Sequence, residues 1–239
     1  MRILAFDTAT GATTVALRDP AAGLELELRD DPPPGERPGH ATRLLPMIAE
    51  LLERAGGGWE AVERIAVGVG PGTFTGLRIG IATGRALARA REIPLVGVLS
   101  LEALAVAADA AVVLAVIDAR RGEAFAAAWR REHAREQERE LGPVALRPEA
   151  LALEVARLAG ESAAVPLAIG DGALRFREQL ELAGAEVPPA VSPLHRISAI
   201  NHCRLAAGLP ATSPAEVEPE YLRAPDAEIA YRERHRGPK

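Results

Sequence analysis

The sequence is nearly devoid of cysteine and lysine. Among 239 residues it has one of each, Cys203 and Lys239. A single thiol cannot form an internal disulfide and is too few for a structural zinc or iron–sulfur site, which fits a reducing compartment. A lysine at the last position offers no candidate for a side chain that clamps phosphate or forms a Schiff base with a substrate. These scarcities argue against several enzyme classes at once.

Long apolar runs are also missing. The longest mostly apolar stretch, 103–117, is interrupted by Asp109 and is shorter than the roughly 20 residues that cross a bilayer. The first residues, MRILAFDTAT, place Asp7 where a signal peptide has its apolar centre. We therefore expect a cytoplasmic protein that does not interact with a membrane.

The composition is otherwise that of a globular protein, with 48% hydrophobic and 26% charged residues. Aromatic residues make up only 3%, so aliphatic side chains must fill the core. Acidic residues outnumber basic ones, 33 to 28, which gives a net charge of −5. This balance argues against binding to nucleic acid by overall charge. The length permits one compact unit or two small lobes.

The first half of the chain alternates apolar runs with helical patterns. The apolar runs predict strands at Ile3–Phe6, Thr13–Leu17, Leu24–Leu28, Ile65–Val69 and Leu95–Leu99. The helical patterns predict helices at Thr42–Arg54, from the glycine-rich turn 70–76 to about Ala90, and from Ser100 to about Ala108. The first three strands form an antiparallel meander, and the proline-rich stretch Arg29–Gly39 is a surface loop. Because proline breaks a helix interior, we expect the first helix to become regular near Pro46 or to be kinked in its first turn.

The second half of the chain opens like the first. An apolar strand, Val112–Ile117, ends at Asp118, and a turn leads into the strand Ala124–Trp129, just as the first strand ends at Asp7 before its neighbour. This repetition predicts an α/β fold with two related lobes, residues 1–108 and 109–223.

The remaining segments carry weaker patterns. They predict a helix at Pro148–Ala159, a strand at Leu167–Ile169 and a helix at Ser198–Ala207. The charged run 130–140 is interpreted as a solvated loop or a frayed helix, and the polar tail 224–239 as poorly ordered.

A glycine-rich turn, residues 70–76, joins a strand to a helix. Gly70 and Gly72 could expose backbone N–H groups to a phosphate at the helix N-terminus. The turn lacks the lysine of a P-loop, and Thr73 stands where a dinucleotide-binding fingerprint needs its third glycine. We favour a tight strand-to-helix turn and keep ligand binding as the alternative.

Two aspartates, Asp7 and Asp118, follow apolar strands. Each could orient a metal-bound or attacking water, or could cap a turn by accepting hydrogen bonds from backbone N–H groups, which we favour. Thr8 is open to the same two interpretations.

The histidines do not form a recognisable metal site. They are His40, His133, His195, His202 and His235. None is paired at the three- or four-residue spacing that places two ligands on one helix face. We therefore assign no metal-binding residue and no catalytic residue.

The helix after the glycine-rich turn has a ridge of small residues. The ridge consists of Gly76, Gly80, Gly84 and Ala88, which share one side at helical spacing. Each glycine costs a helix interior about 1 kcal/mol relative to alanine, so a closely packed neighbour must compensate. A narrow polar stripe on the same helix holds Arg78, Arg85 and Arg89. The ridge packs against either the helix Thr42–Arg54 or a partner protein.

Five blocks of sequence resemble the bacterial TsaB (YeaZ) family. They are ILAFDTAT from Ile3, HATRLLPMI from His40, IAVGVGPGTFTGLRIGIATGRALA from Ile65, IDARRGEAF from Ile117 and EPEYLR from Glu218. The blocks lie in the family's order along the whole chain, and GPGTFTGLRIG is the most specific. The resemblance implies the actin/sugar-kinase/Hsp70-like (ribonuclease H-like) fold with two related lobes.

The resemblance also implies a function in making N6-threonylcarbamoyladenosine in tRNA. Family members are partners of the paralogous transferase TsaD and act with the ATPase TsaE. They lack the metal-binding histidine pair of TsaD, and here the matching region supplies only His40. The chain is thereby expected to be a non-catalytic subunit that activates TsaD, contacts tRNA only indirectly and, alone, binds neither metal nor ATP or ADP firmly.

Family members pair through their first two helices, either as homodimers or with TsaD. The resemblance therefore places a partner interface on Thr42–Arg54 and Phe74–Ala90 and favours a partner as the neighbour of the small-residue ridge. The predicted interface residues are His40, Leu44, Met47, Ile48, Gly76, Leu77, Gly80, Ile81, Gly84, Arg85 and Ala88.

The alternative is an enzyme of the same fold. It would be a nucleotide-binding small-molecule kinase or a glycoprotease-like metallopeptidase. Asp7 and the segment Gly170-Asp171-Gly172 are the only candidates for the kinase chemistry.

Overall fold

The computed structural model of the chain contains two β-sheets, each forming the centre of one lobe. The structure describes residues 1–33, 35–133, 136–161 and 164–223. The tail expected to be poorly ordered, 224–239, lies outside the described residues.

The first sheet has five strands. They are β1 (Ile3–Asp7), β2 (Thr13–Asp19), β3 (Leu24–Asp30), β4 (Arg64–Gly70) and β5 (Leu95–Leu99). Their order is β3-β2-β1-β4-β5. The first three pair antiparallel, whereas β4 pairs parallel with β1 and β5 pairs parallel with β4, because helices return the chain between these strands. The predicted meander is confirmed.

The second sheet repeats this arrangement. Its strands are β6 (Val112–Arg120), β7 (Glu123–His133), β8 (Glu136–Leu146) and β9 (Leu167–Ile169), in the order β8-β7-β6-β9. β6 is antiparallel to β7 and parallel to β9, just as β1 is to β2 and β4. The α/β fold with two related lobes is therefore confirmed.

Helices connect the strands and cover the sheets. In the described residues they are α1 (His40–Ala55), α2 (Phe74–Arg91), α3 (Ser100–Ala105), α4 (Pro148–Gly160), α5 (Asp171–Arg175), α6 (Arg177–Leu182) and α7 (Ala199–Ala206). Alternation along β1 sends Leu4 and Phe6 towards α1 and α2, and Ile3 and Ala5 towards α3 and α7. The first sheet is thus covered on both faces.

Helix α1 begins at His40, well before Pro46, so the expected start near Pro46 is wrong. The proline lacks the N–H that would donate to the carbonyl of Thr42, and it lies on the exposed side of the helix. The opposite side buries four apolar residues against the first sheet. They are Leu44, Met47, Ile48 and Leu51. This burial outweighs the missing hydrogen bond.

The prediction of a solvated loop or frayed helix for the charged run 130–140 is wrong, because most of this run lies in strands β7 and β8. β7 and β8 form a hairpin in which Arg130 lies opposite Glu138 and Trp129 opposite Arg139. Arg130 also forms an ion pair with Glu140. Charged pairs between neighbouring strands stabilise this hairpin in place of the apolar alternation by which strands are recognised in a sequence.

Helix α7 lies on the first sheet, although it falls within 109–223, the range assigned to the second lobe. Ala199 and Cys203 pack against Ile3 and Ala5 of β1. At the N-terminus of α7, Glu27 of β3 accepts a hydrogen bond from the Ala199 N–H. At the other end, Arg64 of β4 donates to the carbonyls of Ala206 and Leu209. The first lobe therefore includes a segment from the end of the chain.

Candidate functional site

Asp7, at the end of β1, is 1% exposed and its carboxylate accepts three hydrogen bonds. The N–H of Ala9 donates to Oδ1 at 2.7 Å, and Ser100 Oγ and His202 Nε2 donate to Oδ2 at 2.6 and 2.9 Å. Burial would raise the pKa of Asp7, but the hydrogen bond and charge of His202, with the bonds from Ser100 and Ala9, lower it below the ordinary value. The carboxylate is ionised, and both of its oxygens accept hydrogen bonds from groups of the protein.

His202 is the partner of Asp7 that sequence reasoning missed. Its Nδ1 lies 3.1 Å from the carbonyl oxygen of Ser198, and its Nε2 faces the carboxylate. Both ring nitrogens therefore face oxygen acceptors. The sequence shows a histidine among the apolar residues of α7, but it does not indicate that this histidine contacts Asp7, which is 195 residues away.

The second lobe repeats the turn of the first. Asp118 Oδ1 accepts a hydrogen bond from the N–H of Arg120 at 2.9 Å, two residues on, as Asp7 does from Ala9. Asp118 also forms an ion pair with Arg175 at 2.8 Å. The turn-capping interpretation of both aspartates is confirmed by these bonds.

The glycine-rich turn packs directly on the residues that follow β1. The N–H of Thr73 donates to the carbonyl of Ala9 at 2.7 Å, and Thr8 Oγ1 donates to the carbonyl of Gly76 at 2.7 Å. A Cβ at Gly72 would lie 2.3 Å from the carbonyl oxygen of Ala9. Glycine is needed there for backbone contact, which favours the tight turn over a phosphate site.

The small-residue ridge of α2 faces the chain's own first lobe. A Cβ at Gly80 would lie 2.4 Å from Thr8 Oγ1, and one at Gly84 would lie 3.4 Å from Leu95 and 3.5 Å from Phe6. The ridge was expected to face α1 or a partner, but Gly80 and Gly84 face Thr8 and the first sheet instead. The close neighbours that compensate for its glycines are Thr8 and the sheet.

Most of the predicted interface residues are buried within the single chain. Ten of the eleven are buried inside the chain, namely His40, Leu44, Met47, Ile48, Gly76, Leu77, Gly80, Ile81, Gly84 and Ala88. Arg85 is half-buried and donates to the carbonyl of Val217 at 2.8 Å. A partner on these two helices must therefore contact their other sides.

A polar cleft of about 460 Å³ lies between the lobes. Its lining includes Thr10, Arg120, Asp171 and His195. This volume suits a small molecule. None of the four predicted ligand residues, Asp7, Thr8, Gly70 and Gly72, is among its lining residues.

Known proteins share both the sequence and the fold. The family model for TsaD, tRNA N6-adenosine threonylcarbamoyltransferase, matches residues 33–170. The tRNA threonylcarbamoyladenosine biosynthesis protein TsaB of Escherichia coli strain K12 is 39% identical over 166 residues, 67% of this chain and 69% of that protein. TsaB of Haemophilus influenzae is 38% identical over 132 residues, 52% of each chain. The structure of YeaZ from Pseudomonas aeruginosa matches with a TM-score of 0.77 at 31% identity, over 92% of this chain and 99% of YeaZ. This chain belongs to the TsaB (YeaZ) family.

In this TsaB-family chain, the histidine at the start of α1 has an internal partner. His40 is 3% exposed, and its Nδ1 lies 2.8 Å from Thr13 Oγ1 of β2. Burial lowers the pKa of His40, which keeps the ring neutral. One turn further along α1 stands Leu44, which is buried in the core. His40 therefore joins α1 to the sheet.

The outer helix face of this TsaB-family chain is defined here as the exposed sides of α1 and α2. On α1 it contains Leu45, which is 53% exposed, with Pro46 and Ala49. On α2 it contains Thr75, Arg78, Ala82, Ala86 and Arg89. The middle of the face is made of small or apolar side chains, and no sheet of the described chain covers it. In the same described residues, no helix combines the length and apolar character needed to cross a bilayer.

Proposed function

We propose that this chain takes part in forming N6-threonylcarbamoyladenosine in tRNA, as a non-catalytic subunit that binds and activates a TsaD-type transferase. Membership of the TsaB family carries the proposal, since its curated relatives are named as biosynthesis proteins of this modified nucleoside. The match to the TsaD family model supports a common origin with the transferase.

The geometry around Asp7 supports a subunit without catalysis of its own. A general base must be within reach of a substrate proton, either directly or through one water. Asp7 is buried, and its two oxygens already accept hydrogen bonds from Ala9, Ser100 and His202. The glycine-rich turn is likewise filled by the backbone of Ala9. The residues best placed for chemistry thus stabilise the fold.

The outer helix face supports a partner-binding function. Exposed apolar side chains on adjacent helices are a common feature of protein interfaces, where they become buried on binding. Leu45 of α1 and Ala82 and Ala86 of α2 are exposed in the single chain. A TsaD-type partner with related helices would bury these residues.

Reconstitution of tRNA modification tests the proposal. The transferase, TsaE and the synthase of threonylcarbamoyl-adenylate, all from the same genome, should modify tRNA only when this chain is present. Ala86→Glu, which places a charge in the middle of the outer helix face, should reduce the yield of modified nucleoside. Leu153→Glu, at a 73% exposed position on α4, is the matched control and should leave the yield unchanged.

Two results would contradict this function. Equal modification without the chain would show that the transferase does not need it. Turnover of Mg-ATP by the isolated chain would instead favour the kinase alternative.

A further inference from the structure

The segment 217–223, which we call the interlobe strap, runs from the first lobe to the second. Val217, at its start, is 4% exposed and belongs to the core of the first lobe. Leu222, near its end, packs against the core cluster of the second sheet that contains Ile117 of β6 and Phe125 of β7. The strap therefore has an apolar anchor in each lobe.

Hydrogen bonds fix the strap to the first lobe. Arg85 of α2 donates to the carbonyl of Val217 at 2.8 Å, and the N–H of Glu220 donates to the carbonyl of Val69 in β4, also at 2.8 Å. Both bonds use backbone atoms of the strap. They therefore determine the path of the chain along α2 and β4.

An ion pair fixes the other end of the strap to the second lobe. Arg223 lies 2.9 Å from Glu123, the first residue of β7. The two side chains are only 18% and 29% exposed, so salt screens this pair less than a fully exposed one. The ion pair and Leu222 together form the anchor in the second lobe.

The strap has little slack between its two anchors. Glu220 is bonded to β4, and Leu222, two residues further on, already lies against the second lobe. An extended chain spans at most about 3.6 Å per residue, so these two residues can bridge only about 7 Å. The lobes cannot move apart at this point without breaking one of the anchors.

A different connection joins the lobes at the other side of the first sheet. Where the chain enters α7, Arg29 of β3 donates to the carbonyl of Ile197 at 2.6 Å, and Glu27 of β3 accepts from the N–H of Ala199. β2 and β1 lie between β3 and β4, so the two connections are about 14 Å apart at the ordinary spacing of strands. Each half of the first sheet is thus tied to the second lobe.

Lobes that share a modest interface move relative to each other by default, and closure around a ligand uses such motion. We propose that the interlobe strap locks the two lobes at one angle and keeps the cleft between them at a fixed width. The inference goes beyond the proposed function, because it concerns motion within the single chain. It implies that this chain does not close over a ligand as a hinged enzyme does.

The distance between spin labels on the two lobes tests the proposal. Ala21→Cys, in the exposed turn between β2 and β3, and Leu153→Cys, on α4, place one label on each lobe. The native Cys203 is buried, and burial raises the pKa of its thiol, so it should not react with the label. Dilution with unlabelled chain restricts the measured distances to pairs within one chain. With the strap intact, we expect a single narrow distribution of distances.

Leu222→Ser combined with Arg223→Ser removes the anchor in the second lobe. This variant should give a distribution about twofold broader, or one centred at a longer distance, because the lobes can then rotate. Leu141→Ser combined with Arg130→Ser is the matched control. It removes a partly buried leucine and an ion pair of similar exposure, Arg130 with Glu140, but both lie within the second lobe. The control should give the distribution of the unmodified chain.

A milder variant, Glu123→Gln, removes only the charge of the ion pair and serves if the double variant does not fold. It should broaden the distribution to a smaller extent, and about 0.5 M salt should then have less effect on it than on the unmodified chain. A folded double variant with an unchanged distribution would overturn the inference, because the lobes would then be held without the strap. If only Glu123→Gln folds, an unchanged distribution in that variant has the same meaning. Neither measurement involves the transferase, so a negative result leaves the proposed function intact.

Discussion

At the scale of single residues, His40 shows how burial turns a histidine into a pH-sensitive contact. Its ring is enclosed between α1 and β2, with Nδ1 bonded to the hydroxyl of Thr13. Burial lowers its pKa from the ordinary value of 6.5, although the Thr10 backbone and the charges of Asp7 and Asp30 act in the opposite direction. The folded chain thus takes up the proton at a lower pH than the unfolded chain does.

The first prediction concerns the free energy of unfolding as a function of pH. The contribution of neutral His40 is complete above pH 6.5 and is lost as the pH falls from 6.5 to the lower pKa of the folded state. In His40→Asn, which keeps a polar group near Thr13, this loss should be absent. Urea unfolding at pH 7.5 and 5.5, both chosen as roughly one pH unit from the ordinary pKa, should show the stability advantage of the unmodified chain shrinking in acid. Parallel pH curves for the two proteins would contradict the prediction.

At the scale of elements, the glycine ridge of α2 determines how closely the helix approaches the first lobe. Gly80 lies against Thr8, whose hydroxyl is held by the carbonyl of Gly76 and therefore cannot turn away without losing a hydrogen bond. The ridge is thus a packing feature of the single chain.

The second prediction tests that packing. Gly80→Leu should lower the free energy of unfolding by about 2–3 kcal/mol or more, because the new side chain overlaps Thr8. Ala82→Leu, on the exposed side of the same helix, should change it by no more than about 0.5 kcal/mol. Thermal and urea unfolding of the two variants measure the difference. A Gly80→Leu protein as stable as Ala82→Leu would show that the ridge does not pack on Thr8.

Several elements could be predicted from the sequence because they follow simple periodicities. The strands of the first sheet alternate or are continuously apolar, and α1 has its apolar residues at helical spacing. The hairpin around Arg130 could not be predicted, because charge pairs between strands replace apolar alternation. The direction of the Gly80 ridge was also inaccessible, since helical spacing shows which residues share a side but not what covers that side.

The candidate site was less predictable than the elements. Asp7 could be recognised from its place after an apolar strand, and the turn-capping bond to Ala9 depends only on local sequence. Its bonds to Ser100 and His202 depend on contacts across 93 and 195 residues. The periodicity of a sequence does not show which distant residues are in contact. The hydrogen bonds that Asp7 accepts from Ser100 and His202 are therefore visible only in the folded structure.

At the scale of the whole molecule, the pair of Asp7 and His202 joins β1 to α7, two elements that are 195 residues apart in sequence. The pair is buried, with side chains 1% and 0% exposed. Removing one partner of a buried ion pair leaves the other charge without compensation in a medium that solvates it poorly.

The third prediction concerns this pair. His202→Ala should lower the free energy of unfolding by about 3–5 kcal/mol, because Asp7 then stays buried with a missing donor. Arg204→Ala, on the same helix, is the control, since its ion pair with Glu25 is half exposed and such pairs contribute about 0–1 kcal/mol. Urea unfolding compares the two. Equal losses would show that the buried pair adds nothing beyond a surface contact.

The return of α7 to the first sheet also bears on how the protein folds during synthesis. The ribosome makes β1 before α7, the helix that covers one face of this strand, and about 195 residues separate the two. At a synthesis rate of about 5–20 residues per second, α7 is made roughly 10–40 s after β1, and the face of β1 that α7 covers is exposed during that time. Over the same interval the second lobe, whose strands and helices are nearly contiguous in sequence, can assemble. The first lobe is therefore completed only after α7 has been made, and until then the part of β1 that Ala199 and Cys203 cover stays exposed.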